Sequence, residues 1–249
     1  ILSLQCKARG VPSPQITWYR PGDQPITAGV SPISGGSQLQ VTTTQDAGDY
    51  GQYKCRASNL LGSVERLIYV TQWYKPSFIS NSPYQTVNET IDFLKLTCES
   101  DGYPAPTVTW SRDGVVVSQT SVYYSNSVTR SEAGTYTCTA TNEMGSDTTT
   151  VQVTVNYKPE MASSTTNTSS WNRKVLSLQC KARGVPSPHI TWYKPGGQPI
   201  TAGVSPISGG SQLQVTTTQE AGDYGQYKCR ASNLLGSVER LIYVTQWCK

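Results

Sequence analysis

The chain has 249 residues, 14% of them charged, with seven cysteines, one histidine and a formal net charge of +4. This charge is too small, and too little of it is interleaved with aromatic residues, for a nucleic-acid surface. No apolar run reaches transmembrane length, and no secretory signal is visible.

An internal repeat determines the predicted domain organisation. Residues 2–73 recur as residues 176–247, and residues 74–157 are a more distant copy of the same plan. Because repeats define the folding unit, the sequence predicts three modules, 1–73, 74–157 and 158–249, of which the third is a near-identical duplicate of the first. Only four positions differ between those two copies: Gln15/His189, Arg20/Lys194, Asp23/Gly197 and Asp46/Glu220.

Each module contains short stretches in which apolar and polar residues alternate, which is typical of half-buried strands. In chain order the first module has Leu2–Cys6, Ile16–Trp18 and Tyr53–Ala57, with turn signals at Pro21-Gly22 and Gly35-Gly36. Since every second side chain of a strand faces the same way, the alternating apolar residues are the predicted core. The other modules repeat the alternation at Leu94–Cys98, Val108–Trp110 and Tyr136–Ala140, and at Leu176–Cys180 and Ile190–Trp192.

Each module also contains a Cys, a Trp twelve residues later, and a second Cys preceded two residues earlier by a Tyr. These sets are Cys6, Trp18, Tyr53 and Cys55; Cys98, Trp110, Tyr136 and Cys138; and Cys180, Trp192, Tyr227 and Cys229. Together with Gly10–Pro14 and Asp49–Gly62, and with Gly102–Pro106 and Glu132–Gly145, they resemble tandem I-set immunoglobulin domains. Such domains occur in multi-domain cell adhesion molecules and hemicentin-like proteins.

The resemblance implies an all-β fold of three immunoglobulin-like β-sandwiches arranged as a rod. It also implies one disulfide in each module, a core tryptophan beside it, and a tyrosine corner formed by Tyr53, Tyr136 and Tyr227. A disulfide that closes a loop of this length stabilises the folded domain by about 4 kcal/mol. Such a disulfide forms and persists in an oxidising compartment. The first module starts on its second strand, so we expect it to lack strand A and the protein to continue upstream.

Catalysis and metal binding are not expected. His189 is the only histidine and occupies a turn position, where a solvated side chain is the simpler interpretation. The paired cysteines lie 40 or 49 residues apart, unlike the close pairs of structural zinc sites. The sequence therefore predicts a protein that is not an enzyme, with no cofactor, no metal and no small-molecule substrate.

Some residues stand outside the repeated framework. Cys248 occupies the position of Tyr74 in the repeat, and is interpreted either as a chance substitution or as a partner for a cysteine elsewhere. Asn88 and Asn167 begin N-glycosylation triplets. The Ser/Thr cluster at 163–170 is expected to be the most flexible stretch.

Candidate binding residues lie in the loops between the last two strands of the repeated modules. Leu60, Leu61, Leu234 and Leu235 are adjacent leucines that either contact a partner or tuck against the protein. Four basic residues, on the equivalent predicted faces of modules one and three, are candidates for sulfated glycans: Lys54, Arg56, Lys228 and Arg230. A solvated surface is the plainer interpretation of those charges.

The predicted function is cell adhesion or recognition outside the cell or at its surface. The predicted partner is either the same protein or another cell-surface or matrix protein. Any membrane anchor would lie outside residues 1–249. The alternatives are a structural protein of the matrix or of muscle, or the ectodomain of a signalling receptor. The sign of the net charge alternates between modules, which also suggests staggered pairing of identical chains.

Overall fold

The computed structural model describes residues 1–44, 48–80, 83–171, 173–218 and 222–247. The described residues form β-strands with little helix, consistent with the predicted all-β class. They divide into two compact units. The first comprises 1–75 with 102–105 and 142–144, and the second contains the remaining parts of modules two and three.

The first module is a sandwich of two antiparallel sheets. Its strands are β1 (Leu2–Lys7), β2 (Gln15–Arg20), β3 (Gln24–Ile26), β4 (Val30–Ile33), β5 (Gly36–Val41), β6 (Gly51–Asn59) and β7 (Gly62–Val70). One sheet has the order β1-β5-β4 and the other β3-β2-β6-β7. The alternating residues predicted from the sequence place Trp18, Tyr53 and Cys55 in the core between the two sheets.

Module two follows the same plan with a longer last strand. Its elements are β8 (Tyr74–Ser80), β9 (Tyr84–Asn88), β10 (Leu94–Thr97), β11 (Glu99–Tyr103), β12 (Thr107–Arg112), β13 (Val115–Ser118), β14 (Val122–Ser125), a 3₁₀ helix (Arg130–Glu132), β15 (Gly134–Asn142) and β16 (Gly145–Met161). The strand order β13-β12-β15-β16 forms one sheet, and β9 pairs in parallel with β16.

Module three contributes the remaining strands. They are β17 (Thr168–Ser170), β18 (Val175–Val185), β19 (His189–Tyr193), β20 (Pro199–Ile200), β21 (Val204–Ile207), β22 (Gly210–Thr216), β23 (Gly225–Asn233) and β24 (Gly236–Gln246). One sheet has the order β17-β24-β23-β19-β20. The other continues from β16 through β18 and β22 to β21.

Strand β16 belongs to two cores. Val151, Val153 and Val155 are buried in module two, whereas Met161 packs against the core of module three. Pro159 lies at a register shift in the pairing of β16 with β18. A proline is tolerated at such an irregularity because it has no amide hydrogen to donate to the ladder.

Each module encloses the cysteines and aromatic residues that the sequence singled out. Among the described residues the disulfides are Cys6–Cys55, Cys98–Cys138 and Cys180–Cys229, with Cα atoms 6.4 to 6.6 Å apart. Trp18, Trp110 and Trp192 are fully buried. The hydroxyls of Tyr53, Tyr136 and Tyr227 donate to the carbonyls of Asp49, Glu132 and Asp223 at 3.0, 3.1 and 3.0 Å.

The buried indole N–H groups find partners that the sequence pattern did not indicate. Trp18 and Trp192 each donate to a buried serine hydroxyl, of Ser37 and Ser211, at 3.1 Å. Burial also raises the pKa of Tyr227 to about 12, because the protein excludes water from its phenol. These polar atoms are satisfied inside the sandwich, as a stable core requires.

The Ser/Thr cluster at 163–170 is attached to β18, although the sequence suggested a flexible stretch. The hydroxyl of Ser164 accepts from the Lys181 amide at 3.0 Å, and that of Thr165 accepts from the Gln179 amide at 2.6 Å. The Thr165 amide donates to the Gln179 carbonyl at 2.8 Å. Side-chain hydroxyls therefore supply part of the strand pairing here.

Modules one and three are nearly identical in sequence but differ in the burial of an equivalent core residue. Ile242 of module three is fully buried, whereas its counterpart Ile68 is half-buried. Module three has the end of β16 and strand β17 packed beside β24. In the described part of module one, no strand occupies the corresponding place beside β7.

Candidate binding surface

The loop between the last two strands of each module is held by one asparagine. In module three, Asn233 accepts from the Leu235 amide at 2.9 Å, and its Nδ2 donates to the carbonyls of Tyr157 and Pro186 at 2.9 and 3.0 Å. Asn59 accepts from the Leu61 amide and donates to the Pro12 carbonyl, both at 2.9 Å. These hydrogen bonds therefore fix the backbone of the loops that carry the leucines.

The leucines at these loops differ in exposure. Leu60 and Leu234 protrude with 92% and 93% of their surface exposed. Leu61 is 83% exposed, whereas its counterpart Leu235 is half-buried. The sequence left two alternatives for these leucines, contact with a partner or packing against the protein. Of the four, Leu235 alone packs partly against the protein.

A second exposed surface contains the four basic residues that the sequence analysis placed on an outward face. On the sheet formed by β2, β6 and β7, residues of alternate parity point away from the core. We call them the outer face of module one: Tyr19, Gln52, Lys54, Arg56, Glu65, Leu67 and Tyr69. Their counterparts form the outer face of module three: Tyr193, Gln226, Lys228, Arg230, Glu239, Leu241 and Tyr243. The strand parity that places Lys54 and Arg56 outward also locates the aromatic residues and leucines of these faces, which the sequence analysis did not single out.

Ion pairs partly neutralise both outer faces. The Lys54 ammonium lies 2.7 Å from an Asp23 oxygen and 5.1 Å from the centre of the Tyr19 ring. The hydrogen bond to Asp23 raises the pKa of Lys54 above its ordinary value. In module three Gly197 replaces Asp23, and Lys228 contacts Glu239 at 3.2 Å. The two faces thus differ chiefly in one carboxylate.

Arginines on the same faces are also paired. Arg56 donates to the Ser63 hydroxyl at 3.2 Å and lies 3.9 Å from Glu65. Arg230 donates to the Ser237 hydroxyl at 3.0 Å and lies 3.9 Å from Glu239. A sulfated glycan at these residues would have to compete with the glutamates.

Module two presents a different surface at the equivalent position. On β12 and β15 the outward residues carry hydroxyls, and Thr109 pairs with Thr139 while Ser111 pairs with Thr137. On β16, Thr148 and Thr150 are exposed. The charged and aromatic residues of the two outer faces have no counterpart at these positions.

A charged cluster links the 3₁₀ helix of module two to the end of β16. The Arg130 guanidinium makes paired contacts to Glu89 at 2.7 and 2.9 Å and to Glu160 at 2.9 and 3.1 Å. It also lies 4.1 Å from the centre of the Tyr157 ring. Hydrogen bonds from Arg130 hold the pKa of Glu89 below its ordinary value.

Among the described residues, the grooves of modules one and three suggest no catalytic or metal-binding site. A groove of 680 Å³ in module three and one of 590 Å³ in module one are lined largely by equivalent residues. His189 lies exposed at the first of these grooves. In the described ranges, no three His, Cys, Asp or Glu side chains gather as metal ligands, and no helix is long and apolar enough to cross a membrane. Cys248 lies outside the described residues.

The comparisons with known proteins identify the family. Models described as immunoglobulin domain match residues 75–155 and residues 1–59 and 158–233. The chain therefore belongs to the immunoglobulin superfamily, as a protein with tandem immunoglobulin domains.

Individual relatives are similar over nearly the whole chain. Mouse hemicentin-1 is 34% identical over 260 residues, which cover 99% of this chain and 4% of hemicentin-1. Chicken neural cell adhesion molecule 1 is 28% identical, over 94% of this chain and 24% of its own length. The chain thus spans a small part of these relatives.

Solved structures agree on the fold. The titin I-band fragment I67-I69 is 23% identical, with a TM-score of 0.65, and the match covers 99% of this chain and 92% of the fragment. At this identity the likeness concerns the fold alone.

Proposed function

We propose that this chain is an adhesion or recognition segment that binds other proteins outside the cell or at its surface. The supporting observation is an exposed apolar and aromatic surface that occurs twice, on nearly identical modules. Leu60 and Leu234 protrude from rigid loops, and Leu67 and Leu241 lie exposed on the two outer faces. Large apolar side chains held in water in this way are typical of contact sites.

Similarity to hemicentin-1 and neural cell adhesion molecule 1 supports the same class of function. Immunoglobulin sandwiches position loops on a rigid scaffold, which suits contact with a protein surface better than catalysis. We infer no enzymatic activity, cofactor or small-molecule substrate for this segment. Any membrane anchor, or the catalytic domain of a receptor, would lie outside it.

The test is adhesion of beads coated with the complete chain, both to one another and to a panel of cultured cells. Replacing Leu60, Leu61 and Leu234 with serine should abolish adhesion, because these side chains supply much of the exposed apolar area. A control carrying Thr148→Ser and Thr150→Ser in module two should adhere like the unmodified chain. Equal adhesion by the leucine variant would contradict the proposed contact site.

The same experiment separates adhesion from the structural alternatives. If the unmodified chain adheres neither to beads nor to any cell, a spacer role in the matrix or in muscle becomes the better account. Adhesion only between beads would identify a second copy of the chain as the partner. Adhesion to cells would identify a different surface protein.

Sulfated glycans are a second candidate, favoured by one substitution. Gly197 removes from module three the carboxylate that pairs with Lys54 in module one, and Lys228 is consequently more exposed than Lys54. Module three also carries ten basic and four acidic residues. Retention on heparin at low salt that is lost on Lys228→Gln would support this; flow-through at low salt would exclude it.

A further inference from the structure

We propose that Asn167 carries an N-linked glycan, and that this glycan covers the outer face of module three beside Tyr243. The proposal concerns a modification and is independent of which partner the chain binds.

The structure holds Asn167 in an orientation suited to modification. Asn167 is exposed and immediately precedes β17, which pairs in parallel with β24. Its Oδ1 accepts a hydrogen bond from the Tyr243 amide at 3.2 Å. Among the described residues its Nδ2 has no hydrogen-bond partner, so the nitrogen that would bear a sugar is available.

Strand parity determines the side of the sheet on which the glycan would emerge. Ser170 is buried and Thr168 half-buried, so Asn167 and Ser169 point outward. On β24, Val244 is buried and pairs with Thr168, so Tyr243 also points outward. Neighbouring strands are about 4.8 Å apart, which places the first sugar directly beside the Tyr243 ring.

The residues that the sugar would cover are those of the proposed contact surface. Tyr243 and Leu241 are 44% and 45% exposed. In module one, Tyr69 is 69% exposed, and among the described strands none pairs with β7 in the way that β17 pairs with β24. Leu234 is at the opposite end of β24 and would remain uncovered, because it lies about nine residues away along the strand, or roughly 30 Å.

The other glycosylation triplet is less accessible. Asn88 is half-buried, its Oδ1 accepts from the Asn156 amide group at 3.3 Å, and its backbone N–H donates to Asp92 at 2.7 Å. The next residue, Glu89, is held by Arg130. Asn88 therefore serves as an internal comparison for the exposed acceptor.

The modification is a group transfer with a defined balance. Nδ2 of Asn167 attacks C1 of the first N-acetylglucosamine of a lipid-pyrophosphate-linked oligosaccharide. The N–C1 bond forms, the C1–O bond to the pyrophosphate breaks, and the lipid pyrophosphate leaves while Nδ2 loses one proton. The donor is a cosubstrate of the secretory pathway, and the hydroxyl residue that the triplet requires is Ser169.

The first test is intact mass of the complete chain secreted from animal cells, with and without removal of N-glycans. Ser169→Ala destroys the triplet but keeps the Asn167 amide and its hydrogen bond, and should lose one glycan mass. Asn88→Gln is the matched control and should retain the glycan at Asn167. The proposal is overturned if Ser169→Ala and the unmodified chain lose the same glycan mass when N-glycans are removed.

The second test measures coverage of the face by hydroxyl-radical footprinting. Tyr69 and Tyr243 occupy equivalent positions, and trypsin, which does not cleave between Lys75 and Pro76, releases them in distinguishable peptides, 67–95 and 241–249. Oxidation of Tyr243 relative to Tyr69 should rise in Ser169→Ala. An unchanged ratio would show that the glycan points away from the outer face.

Discussion

A single residue distinguishes the outer faces of the two nearly identical modules. Asp23 lies against Lys54 in module one, and Gly197 leaves the equivalent place in module three without a carboxylate. Because the other residues of the two outer faces are the same, the two modules provide a natural comparison within one chain. The Asp23 carboxylate is largely solvent-exposed, so the effect of its pairing with Lys54 on stability is small and the effect on local charge is the informative one.

Replacing Asp23 with glycine should lower the pKa of Lys54 toward its ordinary value, because the hydrogen bond to Asp23 is the main cause of its elevation. A raised lysine pKa stabilises the folded chain below the unfolded pKa, and that contribution is lost as pH rises through the folded pKa. NMR titration of the Lys54 side chain against that of Lys228 measures the change. An unaltered Lys54 titration would contradict the assigned pair.

The loops between the last two strands show how one residue organises an element. Asn233 bonds to Leu235, Tyr157 and Pro186, whereas Asn59 bonds to Leu61 and Pro12. The additional contact exists because β16 passes beside this loop in module three. The loop of module three is therefore more tightly fixed than that of module one.

Asn233→Ala should destabilise its module more than Asn59→Ala, by about 1 kcal/mol, the typical net worth of one hydrogen bond. Urea unfolding of the two variants, followed by hydrogen exchange of each loop, measures the difference. Equal losses would mean that the Tyr157 carbonyl contributes nothing to holding the loop.

Much of this element-level structure was predictable. Alternation of apolar residues correctly indicated the strands of the cores, because burial on one face of a sheet leaves a period of two in the sequence. The Ser164 and Thr165 hydroxyls that pair with β18 were not predictable. Side chains that replace a backbone ladder leave no periodic signal, so a Ser/Thr cluster resembles a flexible loop.

Within the second compact unit, modules two and three are joined by a continuous strand and by ion pairs. Strand β16 runs through both modules, and Arg130 binds Glu89 of module two and Glu160 beyond the boundary. The sequence did not reveal this cluster, because its members are 30 and 41 residues apart and meet only when two modules pack. The sequence did not reveal a strand shared by two cores either, because a proline such as Pro159 is not expected inside a paired strand.

Arg130→Lys should allow modules two and three to move relative to each other while each core stays folded. Lysine is a point charge and cannot make two paired contacts at once. Residual dipolar couplings of the two modules should then fit separate alignment tensors in the variant and a common one in the unmodified chain. Lys95→Arg is a control outside the cluster; a common tensor in Arg130→Lys would refute the role of the cluster.

The proposed function outside the cell requires one cystine within each module. The direct measurement is alkylation of the secreted chain without reductant, followed by peptide mapping. We predict cystines joining Cys6 to Cys55, Cys98 to Cys138 and Cys180 to Cys229, with none of these six residues alkylated. Free thiols at Cys6, Cys98 and Cys180, or pairs that cross between modules, would contradict both the fold and the extracellular setting.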